Sequence, residues 1–192
     1  MKDFKPKNNP YTHWNKDDEF NTFYGDIKYF FENAKLEKEK VIWLPFDDND
    51  SNFVKYLIKE GDYDFVATHI QSKLILVRVN KQVYEFQLPE NLLGDFYVIK
   101  PHHILKMLEM CNRKASKNDL IVISNPPFNG KAKVIRRLKE FDLNFALIFG
   151  IQCFNSGGFT RELKDLNNFQ MIYLINRMKF FKGQETMEKV RN

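Results

Sequence analysis

Apolar positions recur along this chain with two rhythms that alternate, one helical and one extended. Phe23, Ile27, Phe30, Phe31 and Ala34 share one helical face, which predicts an amphipathic helix ending in the charged stretch Lys35 to Lys40. Val41-Ile42-Trp43-Leu44 is an unbroken apolar run, read as a buried strand closed by Pro45 and followed by the acidic turn Phe46 to Asp50. Ser51 is a good N-cap for a second helix, with Phe53, Val54, Leu57 and Ile58 on one face and Gly61 as its stop. Asp64 to Ile70 reads as a second strand, and Ser72 to Leu88 alternates like a hairpin turning near Asn80-Lys81. A short extended piece follows Gly94-Asp95-Phe96. Pro101 then opens a helix with Ile104, Leu105, Leu108 and Cys111 inward.

The second half repeats the alternation. Leu120-Ile121-Val122-Ile123 is a strand, and Gly130 to Phe141 a helix with Val134, Ile135, Leu138 and Phe141 on one side. Asn144 to Gly150 is a further strand, Gly157-Gly158 marks a loop, and Gln170 to Asn176 reads as a last strand. Strands alternating with helices in this way predict a layered α/β fold with a largely parallel sheet.

Composition narrows the picture without deciding it. The chain has 192 residues, 43% hydrophobic and 29% charged, values of an ordinary globular domain. We expect a flexible N-terminal arm over 1–16 and a single domain over 17–192. A net charge of +5 admits a polyanionic partner without requiring one. Cys111 and Cys153 are isolated, which suits neither zinc nor a disulfide framework and fits a reducing, cytoplasmic setting. The polar, basic start does not resemble a signal peptide, and no apolar run reaches the length of about 20 residues that spans a bilayer. The expectation is a soluble protein without a metal.

Candidate chemistry concentrates at Asn125-Pro126-Pro127-Phe128, just after the apolar run Leu120-Ile121-Val122-Ile123. A buried strand ending in such a turn is where an open α/β sheet places ligand chemistry. Two prolines supply no N–H donors, so their carbonyls stay available as acceptors. Asn125 adds a side-chain carbonyl and Phe128 a flat face for a base to stack on. That set suits gripping an exocyclic amine on a planar ring; the plainer alternative is an Asn-Pro turn that only ends a strand.

Other stretches admit two readings as well. Asp47 and Asp48, after the first core strand, either contact a nucleotide-like cofactor or favour the following helix dipole as solvated charges. Asp95 either accepts from an adenine amino group, with Phe96 lining the base pocket, or is a solvated turn residue. His102 and His103 point about 100° apart on a helix and read as surface histidines. His69 ends the second strand on the ligand side. Lys131, Lys133, Arg136, Arg137 and Lys139 form a basic helical face beside the candidate pocket, extended by Arg177, Lys179 and Lys182; it is either a solvated face or a track for a phosphate backbone.

Taken in order, these residues resemble the S-adenosyl-L-methionine-dependent N6-adenine DNA methyltransferases, especially the phage- and restriction-modification-associated type. Asp18-Glu19-Phe20 with Thr22 looks like the family's N-terminal cofactor motif. Pro45-Phe46-Asp47-Asp48 with Ser51-Asn52-Phe53 looks like the subgroup's first motif, which lacks a glycine-rich loop. Gly94-Asp95-Phe96 is similar to a further motif, Asn125-Pro126-Pro127-Phe128 to the signature, and Arg177-Met178-Lys179-Phe180 to a late strand-end segment. The matches span about residues 17 to 180. The chain departs from the pattern at Asn21, where family members often have Tyr. It also has no separate target-recognition domain, leaving the Ser72–Leu88 hairpin, the 155–169 loop and the tail to read DNA.

The resemblance implies a Rossmann-like sheet of seven strands, mostly parallel with one reversed, with helices on both faces. It implies that Phe20 and Thr22 hold the methionine end of the cofactor, that Asp47 and Asp48 lie near its amino acid or ribose, and that Asp95 faces its adenine. Asn125 and the Pro126 carbonyl would hold the target N6, and Phe128 would stack on a flipped base. Lys131, Lys133, Arg136, Arg137, Arg177 and Lys179 would contact the nucleic acid, and a homodimer or a specificity partner would complete recognition. Methylation of RNA adenine or of a glutamine amide fits the same acceptors, and a catalytically silent nucleic-acid-binding relative is the third possibility.

Overall fold

The computed structural model describes residues 21–88, 94–127, 129–164, 166, 168, 170–172, 178 and 180–181. In chain order its first elements are β1 (Asn21–Thr22), α1 (Tyr24–Asn33), β2 (Val41–Leu44), α2 (Asn52–Lys59), β3 (Asp64–Ala67), β4 (Leu74–Val79) and β5 (Gln82–Gln87). There follow α3 (Pro101–Met110), β6 (Leu120–Ser124), α4 (Lys131–Phe141), β7 (Asn144–Leu147), α5 (Gly157–Lys164) and β8 (Phe180–Phe181).

The apolar runs pair side by side. Six strands form one sheet in the order β5-β4-β3-β2-β6-β7, and β1 pairs with β8 in a separate two-stranded ribbon. β2 is parallel to β3 and to β6, and β6 is parallel to β7. The β3–β4 and β4–β5 pairings are antiparallel, so β4 alone runs against the other five. The fold is α/β with a mostly parallel sheet. Six strands are seen in it among the described residues; the strand expected at Gln170 to Asn176 falls largely outside them, and 170–172 are not extended into a ladder.

Side chains alternate across the sheet, and each face takes its own helices. Val41 and Trp43 of β2 pack with Val66, Val77 and Val122 against Ile104 and Leu108 of α3 and Val134 and Leu138 of α4. Ile42 and Leu44 pack with Phe65, Ala67 and Ile123 against Ile27 and Phe31 of α1 and Phe53 and Leu57 of α2. All four β2 side chains are fully buried, each contributing about 1.5–3 kcal/mol. That is why this run, and not a more polar one, takes a central place in the sheet.

Local differences from the sequence reading have local causes. After Phe96 the chain turns instead of extending, because the Val98 and Ile99 amides both donate to the Asp95 carbonyl. Gly157-Gly158 opens α5 and is not a loop, and the expected DNA-reading loop at 155–169 is largely this helix. Phe159 drives it: its ring is buried and meets Phe149 and Phe154 edge-on. The hairpin turns where expected, with Asn80 and Lys81 both left-handed, at φ 51° and 69°.

Candidate functional site

The connection leaving β2 passes through α2 on one face of the sheet to β3, while the one leaving β6 passes through α4 on the other face to β7. The two connections diverge at the carboxyl ends of adjacent strands. This is a topological switch point, the place where open α/β sheets bind ligands.

Asp47 stands at that point and is buried. Its carboxylate accepts a hydrogen bond from Ser51 Oγ, at the start of α2, and one of 2.9 Å from Ser124 Oγ, the last residue of β6. Its backbone N–H donates to the Thr68 carbonyl at 3.2 Å, beyond β3. One acidic residue therefore ties the ends of three parallel strands together. Burial pushes its carboxyl up to about 6, against the lowering pull of the two hydroxyls and of His69. Asp48, half-buried, makes the turn itself: its Oδ1 accepts from the Asp50 amide at 2.9 Å.

The expected base-pocket segment packs onto the same turn. The Phe46 and Phe96 rings lie 5.1 Å apart, and Phe96 also meets Trp43 at 5.6 Å. Phe96 is 1% exposed and packs behind half-buried Phe46, and Pro45 is buried. Asp95 is buried; its Oδ1 accepts from the Tyr97 amide at 2.9 Å, and burial holds its carboxyl above the ordinary carboxylate range. Gly94 reaches this position because nothing larger fits: a Cβ there would lie 2.5 Å from the His69 carbonyl oxygen. His69, buried, accepts from the Gln71 amide at Nδ1 over 3.2 Å.

Asn125 follows Ser124 directly, half-buried and with its Oδ1 shielded from solvent. Pro126 is buried and Pro127 half-buried, whereas Phe128 lies outside the described residues. Gly130 turns the chain into α4 with φ +82°, a left-handed value that suits glycine. Thr22 also arrives here, since Asn52 Nδ2 donates to its carbonyl at 2.8 Å. The Thr22 Oγ1 is buried with no hydrogen-bond partner among the described residues. Phe20 lies outside them.

The basic residues of α4 are mostly engaged within the protein. Arg136 Nε donates to Glu162 of α5 at 3.0 Å, and Lys139 Nζ donates to the Glu162 carbonyl at 3.1 Å. Arg137 pairs with Glu140 at 2.9 Å, donates to the Tyr97 carbonyl at 3.1 Å, and lies over the Phe141 ring. Lys131 is buried and donates to Cys153 Sγ at 3.1 Å. Lys133 is exposed. Arg177 and Lys179 lie outside the described residues.

The structure thus brings Thr22, Pro45, Phe46, Asp47, Asp95, Phe96 and Asn125 to one end of the sheet. It adds Ser124 and Thr68, which sequence reasoning passed over. Their signal was a hydroxyl at the carboxyl end of an otherwise apolar strand, facing the end of its neighbour. Among the described residues there is no group of three or more side chains placed to hold a metal ion, and no helix is long and apolar enough to cross a membrane. Comparisons with family models, with curated proteins and with solved structures found no match to this chain.

Proposed function

We propose that the chain transfers a methyl group from S-adenosyl-L-methionine to the N6 amino group of adenine in DNA, by direct in-line displacement on a flipped base. In this reading its sheet is the core of a seven-stranded, Rossmann-like methyltransferase fold working in a reducing cytoplasm. The observation that carries it is the Asp47–Ser124 hydrogen bond, which sets the Pro45–Asp48 turn beside Asn125. The stretch that resembles a cofactor motif and the one that resembles a target-base motif then flank one switch point.

The residues present fit such a cofactor. Thr22 offers a buried hydroxyl oxygen with no partner among the described residues, Phe46 an accessible aromatic face, and Asp95 a second carboxylate oxygen for an adenine amine. When bound, the cofactor supplies a sulfonium-activated methyl group. Asn125 Oδ1 and the Pro126 carbonyl would accept the N6 hydrogens and draw the nitrogen lone pair out of conjugation, Phe128 would stack on the ring, and the proton lost from the methylated nitrogen would leave to solvent. Placement of the nucleophile in line with the methyl supplies most of the remaining rate.

One observation favours a second reading, a catalytically silent nucleic-acid-binding relative. Asp47 commits both carboxylate oxygens to serine hydroxyls inside the protein, and the turn that carries it has no glycine to let a ligand approach the backbone. Calorimetric titration with S-adenosyl-L-methionine and with its demethylated product separates the two. Binding that weakens in Asp95→Ala, with methyl incorporation into DNA abolished in Asn125→Ala, supports the enzyme. Absence of binding at millimolar ligand leaves the silent relative. Competition by RNA or by a glutamine peptide for the same methyl group would reassign the substrate.

A further inference from the structure

A cavity of about 630 Å³ opens at the other end of the sheet, at the amino end of β3. Its wall is built from four separated segments: the link after α1, the residues leading into β3, the end of β4 with the β4–β5 turn, and the residues after α3. Arg78 is 5% exposed, fixed by two 2.9 Å hydrogen bonds from Nη1 to the Gly61 and Tyr63 carbonyls. Arg113 is held by Asp64 Oδ2 at 3.0 Å and by the Glu39 carbonyl at 2.9 Å. The other oxygen of Asp64 accepts from the Asn80 amide. Asp64 is therefore already compensated, and it orders the wall without opposing an anion.

The rim adds uncompensated positive charge. Lys38 and Lys114 are exposed and make no ion pair among the described residues. Lys81 approaches Asp62 only at 3.8 Å with both side chains largely exposed, a geometry worth little in water. Five cations thus face two carboxylates in one concavity, which focuses a positive potential there. The backbone of this wall is set by left-handed residues at Asn80, Lys81 and Asn112, with φ 51°, 69° and 60°. Asn80 and Asn112 add amide groups that can donate to phosphate oxygens.

We propose that this cavity is a second ligand site, one that binds phosphate groups. β3 has four residues, so about 13 Å of strand separates the cavity from the switch point, and the two sites do not share a ligand the size of a nucleotide. The volume lies within the range of about 300–1,000 Å³ common for small-molecule sites. The phosphate comes either from a free phosphorylated metabolite or from the phosphodiester backbone of a nucleic acid. The chemistry of recognition is the same.

The test is calorimetry at low salt with two probes, inorganic pyrophosphate and a single-stranded DNA 12-mer without terminal phosphate. Three proteins are compared: the wild type, Lys38→Glu/Lys114→Glu, and Lys59→Glu/Lys106→Glu, which has the same net charge but alters exposed lysines elsewhere. Thermal melts establish that both variants fold. We expect at least one probe to bind the wild type, to lose tenfold or more in affinity to the rim variant, and to change less than twofold with the control. Pyrophosphate binding that the rim variant loses, without such an effect on the 12-mer, identifies a free phosphorylated ligand; 12-mer binding that the rim variant loses identifies a nucleic-acid backbone. No binding of either probe at millimolar concentration, or equal weakening in both variants, overturns the proposal. Neither readout depends on methyl transfer or on the cofactor.

Discussion

Ser124 Oγ donates to the Asp47 carboxylate over 2.9 Å, and the two residues are 77 positions apart in the chain. Ser124 closes β6 and Asp47 lies in the turn after β2, so the bond joins the ends of two adjacent parallel strands where their connections part to opposite faces. Ser124→Ala leaves a fully buried carboxylate short of one donor. The expected cost is about 1.5–3 kcal/mol, the scale of a hydrogen bond to a charged group, read by urea unfolding at pH 7. A change indistinguishable from the wild type would mean that the bond does not form in solution.

Asp47 also makes stability depend on pH, in the direction opposite to a carboxylate in an ion pair. Its carboxyl is raised from 3.8 to about 6 by burial, so the folded chain holds that proton more tightly than the unfolded one. This residue's contribution is most favourable below pH 4, declines as pH rises from about 4 to about 6, and is flat above. The decline is on the order of 3 kcal/mol. Asp47→Asn removes it, and the difference between the two proteins in denaturant melts from pH 4 to 7.5 isolates it from every other group. Parallel curves would refute the assignment.

Asn125→Ala separates chemistry from folding. Under the proposed function methyl incorporation into DNA falls by about 10²–10³, while stability changes by less than about 1 kcal/mol and cofactor affinity is retained. Retained activity would remove Asn125 from the reaction.

Two glycines give the same substitution two different penalties. Gly94→Ala drives a Cβ to 2.5 Å from the His69 carbonyl oxygen and 2.9 Å from its nitrogen, both backbone atoms. We expect a loss of about 1–3 kcal/mol from overpacking and, under the proposed function, weakened S-adenosyl-L-methionine binding at the Asp95 turn. Gly130→Ala meets nothing within 4 Å but must hold φ +82°, a conformational cost of about 1–2 kcal/mol. Melting temperatures with and without ligand distinguish them: ligand affinity changes at Gly94 and stays constant at Gly130.

β2 and β6 were legible because they are uninterrupted apolar runs: Val41–Leu44 is a strand as read, and Leu120–Ile123 is one that also takes in Ser124. The Asn80-Lys81 turn was legible for the same reason, as a break in alternation. Gly157-Gly158 misled, because glycine punctuation is a local signal whereas α5 forms for a tertiary one, the burial of Phe159 and the docking of Glu162 beside Arg136. The basic face of α4 was visible as composition, but its partners come from other elements: Glu162 on α5 and the carbonyl of Tyr97. Ser124 and Thr68 were hidden most fully. A hydroxyl at a strand end acquires meaning only when the neighbouring strand is known, and that neighbour is set by pairings such as Val41 with Leu120.

That last pairing has a consequence for the order in which the protein is made. β2 is synthesised early and stands fully apolar, yet one of its two edges waits for a strand about eighty residues downstream. Until β6 leaves the ribosome, the backbone donors and acceptors along that edge of Val41–Leu44 have no ladder to join, and Asp47 has no Ser124 to receive. A nascent chain ending before residue 120 therefore leaves β2 as an open, apolar edge strand. The switch point of the sheet comes into being in one late step, when β6 pairs with that edge.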